Sequence, residues 1–309
     1  MTPPLGVGLL FNPAVPDVLE RRPEAIDFVG VVPDILQIDQ GPRRDPASVL
    51  GRERFVEIEA LVDIVDEVAR SWPLVAHGVG LSIGSPGKLD RAYVARMRWW
   101  VERLGLVWFS EHLSFFRLPR NSTSAHEAGL AAPLPLDRAV LKAVARKAAT
   151  VQRRLGVPFL LENGVTYVRP HDYELEEPAF LGELARQSGA GLLLDLHNVY
   201  VNARNLGFDA MGFVEELDTS RVIEVHLAGG DMLAGMYTDA HSGAVPEAVW
   251  ELLDRLLARA PALRAVTFEF HESCLPRLGV DGVVEQLARA REALRTPRST
   301  SDVAVRVSA

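Results

Sequence analysis

Pro158-Phe159-Leu160-Leu161-Glu162-Asn163 decides how this chain is read. An apolar run follows the proline and stops abruptly on a carboxylate and a carboxamide. A strand of a parallel sheet is buried on both faces, so it reads as a continuous hydrophobic run, and polar residues at its end face a site rather than a core. The same event recurs five times. Leu74-Val75-Ala76 runs into His77, Val107-Trp108-Phe109 into Ser110-Glu111-His112, and Leu192-Leu193-Leu194 into Asp195. Val222-Ile223-Glu224-Val225 meets His226, and Val266-Thr267-Phe268 meets Glu269. Each run delivers a metal-type ligand at its C-terminal end.

Outward from these runs, the chain alternates strand and helix. Leu5–Leu10 and Ile26–Val32 read as the first two strands, and Pro16–Arg22 as one or two helical turns. Phe55, Ile58, Leu61, Val62, Ile64, Val65 and Val68 keep helical spacing, which predicts a helix over 52–70. Further strands are expected at Leu74–His77, Leu106–Ser110, Phe159–Glu162, Gly191–Asp195, Arg221–His226 and Arg264–Phe270. Helices are expected at about 90–104, 137–155, 178–187, 209–217, 246–260 and 280–294. Two stretches, Phe115–Pro135 and Gly229–Val245, read as long irregular loops, which in a compact domain are usually functional. Eight strands alternating with helices, and no linker-like break, predict an α/β protein, a single (β/α)8 TIM barrel over 1–295. Residues 296–309 read as a frayed tail. A doubly wound open sheet is the alternative, but it would gather ligands at one switch point rather than at most of its strand ends.

The 309 residues are 48% hydrophobic and 24% charged, an ordinary globular composition with material for a large core. A net charge of -8 argues against nucleic acid, whose phosphates call for concentrated Lys and Arg. No apolar segment approaches a membrane span, and no signal peptide is evident at the N-terminus. The single cysteine, Cys274, excludes an internal disulfide framework and fits a reducing compartment, so the cytoplasm is the expected location.

A lone histidine at a strand end is more often a hydrogen-bonded core residue than a ligand; the collective pattern changes the weighing. His77, His112 and His226 follow apolar runs, and Glu162, Asp195 and Glu269 hold the equivalent place on other strands. Burying so many ionisable groups at one end of a barrel is costly unless they are paired or bind metal. Asp239-Ala240-His241 adds a D-x-H pair in a polar loop, and Asp195 and His197 have the same spacing; side chains two apart share a face in extended chain. Imidazoles with carboxylates, and no cysteine pair, suit zinc, iron or manganese. The number of candidates exceeds what one ion needs, so two or three metals are expected. His271, two residues past Glu269, reads as a neighbour of the site; His126, in the long loop, as a substrate contact; and His171 as solvated.

The segments His77-Gly78-Val79-Gly80-Leu81-Ser82-Ile83-Gly84-Ser85, Ser110-Glu111-His112-Leu113-Ser114, Leu161-Glu162-Asn163, Asp195-Leu196-His197-Asn198-Val199-Tyr200, His226-Leu227-Ala228-Gly229 and Asp239-Ala240-His241 carry a resemblance. They are similar, in order and over about residues 5–275, to the DUF692 (UPF0276) family of multinuclear non-heme iron-dependent oxidative enzymes, which includes the methanobactin-biosynthesis oxidase. The resemblance implies a xylose-isomerase-like barrel with two or three iron ions in mixed Fe(II)/Fe(III) states and dioxygen as co-substrate. It implies a ribosomally made precursor peptide as substrate, modified on cysteine or another residue, with a separate recognition protein often presenting it. Carried over by position, it implies His77, His112, Glu162, His226, Asp239, His241 and Glu269 as iron ligands, with Asp195 and His197 as further candidates. Glu162 would be a bridge between two irons, and Glu162 and Asp239 would act in catalysis. Asn163, which follows the bridge on the opposite strand face, and Asn198 are expected to support the site.

The sequence also departs from the family pattern. Val32-Pro33-Asp34-Ile35-Leu36 stands where the family has a His-x-Glu-Asn-Tyr-like segment, and Gly164-Val165 stands for small polar residues. His197-Asn198 replaces two asparagines, and Gly230 stands where a histidine commonly follows the glycine. Two rival readings keep the barrel: a zinc- or manganese-dependent hydrolase or isomerase, and a binding protein without turnover.

Overall fold

Each of the eight expected apolar runs forms a strand, and the strands close into a parallel barrel in which chain neighbours are sheet neighbours. The computed structural model describes residues 4–41, 53–119, 125–167 and 173–296, with the backbone alone described at 118–119 and 125–130. The barrel strands are β1 (Gly6–Leu10), β2 (Phe28–Val31), β3 (Leu74–Gly78), β4 (Phe109–His112), β5 (Phe159–Glu162), β6 (Gly191–Asp195), β7 (Val222–Ala228) and β8 (Ala265–Glu269). β8 pairs back onto β1 through Gly6↔Ala265 and Leu9↔Phe268, which closes the ring. The helices are α1 (Val15–Arg21), α2 (Glu59–Ala69), α3 (Arg91–Leu104), α4 (Arg138–Leu155), α5 (Glu177–Ser188), α6 (Leu196–Leu206), α7 (Ala210–Glu216), α8 (Glu247–Leu257) and α9 (Leu275–Arg295). Among the described residues no helix is long and apolar enough to cross a membrane.

Strand alternation divides the apolar residues into two cores. Phe159 and Leu161 of β5 pack outward in the large core shared with the helices, whereas Leu160 joins a small cluster with Phe28, Val75, Trp108, Leu193 and Ala265. These six come from six different strands or their immediate flanks, so they form the plug inside the barrel. Side chains two apart on a strand face the same way. Two residues beyond Val75, Leu160 and Leu193 stand His77, Glu162 and Asp195. The ionisable layer therefore lies on the apolar plug, at the C-terminal mouth where barrel enzymes place their sites.

The structure departs from the sequence reading in four connections. The stretch expected as an irregular loop at 115–135 is an antiparallel hairpin, Ser114–Pro119 with Ala125–Pro133. A second short hairpin, Asp231–Leu233 with Met236–Thr238, occupies the expected loop after β7, turning at Ala234 (φ 51) and Gly235 (φ 85). The helix expected from residue 52 begins only at Glu59, because Phe55–Glu57 pairs with Gln37–Asp39 as a third hairpin. Finally, α6 was not expected: β6 ends at Asp195, whose carboxylate caps the next helix by accepting from Asn198 N at 2.8 Å. β4 also begins later than expected and runs on to His112, and α9 begins at Leu275, with a break at Gly279 (φ 72, ψ 161).

Candidate metal centre

Three histidines and one carboxylate meet at the centre of the mouth. His77 Nε2 and His112 Nε2 lie 3.4 and 3.3 Å from Glu162 Oε2, and His226 Nδ1 lies 3.5 Å from Glu162 Oε1. The imidazole rings of His77 and His112 are 4.6 Å apart, and those of His77 and His226 are 5.2 Å apart. Two sets of ligand atoms each converge within 4.8 Å, His77/His112/Glu162 and Glu162/Asp195/His226. Glu162 belongs to both.

β7, β8 and the loop after the second hairpin supply the adjoining part. His226 Nδ1 is 2.9 Å from Glu269 Oε1, and His241 Nε2 is 3.3 Å from Glu269 Oε2 and 3.1 Å from Asp239 Oδ1. His241 adopts a left-handed backbone conformation (φ 49), rare for a residue with a Cβ, so the D-x-H pair does not share an extended face. The turn instead aims the imidazole back onto its own aspartate. Asp195 and His197 do not share an extended face either, because His197 lies in the first turn of α6. Its Nδ1 meets Asp239 Oδ1 at 2.9 Å, so it reaches the centre through Asp239 rather than through Glu162.

The two asparagines are brackets. Asn163 Nδ2 donates to Asp195 O at 3.0 Å while its Oδ1 accepts from Asp195 N at 2.8 Å, clamping β5 to the end of β6. Asn198 Nδ2 donates to Asn163 O at 3.1 Å. His271 lies at the rim; its backbone N–H donates to His241 O at 2.8 Å, and its exposed ring meets Ser273 Oγ at 2.8 Å. His126 lies on the long hairpin, where only the backbone is described, and His171 lies outside the described residues.

Electrostatically the centre is starved of positive charge. Burial opposes a charge on His226, yet Glu269, Glu162 and Glu224 raise its pKa well above the ordinary value. Burial also opposes charge on His241, but Glu269 and Asp239 outweigh it and lift the pKa to about 10. Glu269, despite burial, falls to about 2 beside His226 and His241. Asp239 is likewise held below the carboxylate range against its burial, by hydrogen bonds from His197 and His241. Burial and the carboxylates of Asp239, Glu162 and Glu269 push Asp195 well up, while burial and the neighbouring His112 and His226 push His77 well down.

The residues fit a metal cluster by a second observation. Glu162 Oε2, His226 Nδ1, Glu269 Oε1 and His197 Nε2 are buried without a partner in hydrogen-bonding geometry. Native interiors leave few polar atoms unsatisfied, and these four all belong to one mouth. Cations would satisfy nitrogen and oxygen lone pairs that face one another. Of the imidazoles gathered here, His112 and His241 keep about a third of their side chains accessible, which leaves the approach from solvent on their side.

Sequence reading passed over Glu224 and Ser110. Both lie two residues before a candidate histidine ligand on an inward strand face, and that spacing was the available signal. Ser110 Oγ donates to Ala76 O at 3.0 Å, so it accepts from His77 Nδ1 at 2.9 Å and leaves His77 Nε2 unprotonated toward Glu162.

Comparison with known proteins identifies a family and a fold. Residues 5–295 match the sequence model of a family described as RiPP precursor modification enzyme MbnB/TglH/ChrH. A UPF0276 protein of Chromobacterium violaceum is 38% identical over 207 residues, 67% of this chain and 73% of the relative. One from Rhizorhabdus wittichii is 32% identical over 255 residues, 82% and 83% of the two chains. Among solved structures, endonuclease IV from Thermus thermophilus superposes with a TM-score of 0.51 at 17% identity, covering 91% of this chain and 99% of its own. D-psicose 3-epimerase from Clostridium cellulolyticum H10 gives 0.52 at 11% identity, covering 94% and 96%. At such identities the likeness is one of fold, the xylose-isomerase-like TIM barrel.

Proposed function

This chain belongs to the MbnB/TglH/ChrH family of RiPP precursor modification enzymes, and from that membership we propose that it is a multinuclear iron, dioxygen-dependent oxidoreductase. Its substrate on this reading is a ribosomally synthesised precursor peptide, modified at a cysteine. The observation that carries the reading is Glu162, whose two oxygens face two different sets of imidazole and carboxylate ligands.

His77, His112 and Glu162 would hold one ion, and Glu162, Asp195 and His226 a second; Asp239, His241 and Glu269 complete the ligand set on the β7–β8 side and provide for a third. Bound iron would supply one-electron chemistry with dioxygen and Lewis acidity toward a substrate thiolate. The protein residues do the arranging. Ser110 fixes the tautomer of His77, and His197 holds Asp239. Asn163 and Asn198 lock β5 against β6, so Glu162 and Asp195 keep their spacing. Three hairpins rise from βα connections at the mouth, and two of them expose Ile38, Val56, Met232, Leu233 and Met236. That rim supports an extended, partly apolar substrate such as a peptide, which a separate recognition protein could present.

Protein purified anaerobically is expected to carry iron and to consume dioxygen with a precursor peptide encoded beside its gene, giving a product of changed mass at one residue. Zinc as the sole metal, together with turnover that continues without oxygen, would overturn the proposal in favour of a hydrolase or isomerase.

A further inference from the structure

Glu224 is a carboxylate in the wrong layer. By register it lies beside Leu193 of β6 and Ala265 of β8, at the level of the apolar plug rather than of the ligands above it. It is 1% exposed. A charge in such a place is sustained only by full hydrogen bonding, and Glu224 has three donors. Trp108 Nε1 reaches Oε2 at 2.8 Å, Thr267 Oγ1 reaches Oε1 at 2.7 Å, and His226 Nε2 lies 3.3 Å from the same Oε1. A carboxylate only accepts, so Nε2 of His226 carries a proton toward Glu224, and Nδ1 is the nitrogen left facing Glu162 and Glu269, where a metal would be held.

His77 makes an instructive contrast. It faces the other oxygen of Glu162, and the atom behind it is the neutral hydroxyl of Ser110. The two histidines that flank the shared carboxylate therefore have different backing, one anionic and one neutral. The residues nearest Glu162 lean the same way: Asp195 adds a second carboxyl group on the His226 side, whereas His112 adds an imidazole on the His77 side.

We propose that Glu224 is a positioning residue that makes the two metal positions flanking Glu162 electronically unequal. The position served by His226 and Asp195 is the electron-rich one and keeps the more oxidised ion. The position served by His77 and His112 keeps the reduced ion, on the side where His112 opens to solvent. A carboxylate behind a ligating imidazole raises its basicity and so favours the higher charge on the metal. The inference rests on the iron reading of the site.

The test compares wild type with Glu224→Gln, Thr267→Val and Ser110→Ala, each loaded anaerobically with ferrous iron. Iron content is measured first, followed by a one-electron redox titration read by Mössbauer and EPR spectroscopy. Glu224→Gln is expected to bind the same number of irons while shifting the oxidation equilibrium of the more readily oxidised site about tenfold toward ferrous, or about 59 mV for a one-electron couple. Thr267→Val removes a competing donor from Oε1 and is expected to shift the same couple the opposite way. Ser110→Ala is expected to leave that couple in place. Should Glu224→Gln fail to fold, the sign of the Thr267→Val shift decides. An iron-loaded protein whose couple stays within twofold of wild type in both variants overturns the role of Glu224 alone. A wild-type protein that takes up no iron overturns the iron reading and this inference together.

Discussion

His241 is where a proton and a metal compete. Its pKa is raised to about 10 beside Glu269 and Asp239, so in metal-free protein the imidazole is charged at neutral pH. The stabilisation from this charge is complete below the unfolded value of 6.5 and is lost as pH rises through about 10. Glu269, lowered from 4.5 to about 2, contributes in the opposite sense: its share is present above 4.5 and disappears as pH falls through about 2. Ligation requires the Nε2 lone pair of His241, so metal uptake must release that proton, and affinity should rise with pH across neutrality. Calorimetry in two buffers of different ionisation enthalpy is expected to show net proton release per metal-loaded protein at pH 7. Uptake without proton release would place His241 outside the ligand set. At this scale the sequence was legible where a residue ended an apolar run, as at Glu162 and His226. It was not legible where the backbone turned, as with His197 entering a helix and His241 in its left-handed bend, because side-chain spacing predicts direction only when the conformation is known.

Among elements, the hairpin after β7 is the clearest case of a connection built for the site. It leads directly into Asp239, and Asn205 of α6 holds it by a bond to Tyr237 O at 2.7 Å. Gly230 at its base admits no side chain: a Cβ there would lie 2.1 Å from Thr238 O and 3.1 Å from the His197 ring. Gly230→Ala is therefore expected to shift the hairpin, disturb the His197–Asp239 contact and reduce bound metal. Gly156, the left-handed cap of α4 (φ 78), has nothing within 4 Å of its would-be Cβ. Gly156→Ala should cost only the conformational strain, about 1 kcal/mol, with metal content unchanged. Equal metal loss in the two variants, measured alongside chemical denaturation, would deny the hairpin its special role. The hairpins escaped the sequence reading because polar residues interrupt their strands, and those after β2 and β7 are only three residues long on each side. Phe115–Pro135 carries prolines and small residues that look like loop signals, and pairing of distant short segments leaves little periodicity to detect.

At the scale of the whole molecule, the barrel was legible because it rests on repetition. Eight buried runs separated by helices leave few ways to arrange a parallel sheet, and the polar residues at their ends then had to meet at one mouth. The fold carries no further: similar barrels support an endonuclease and an epimerase. At the centre of this barrel's mouth stands Glu162, the residue common to both candidate ligand groups. The most direct measurement is the metal stoichiometry of Glu162→Ala against wild type, both loaded anaerobically and resolved by Mössbauer spectroscopy, with circular dichroism confirming the fold. Loss of at least two ions is predicted, because one side chain serves two positions. Loss of a single ion, with the remaining spectrum unchanged, would show that Glu162 is an ordinary ligand and not a bridge.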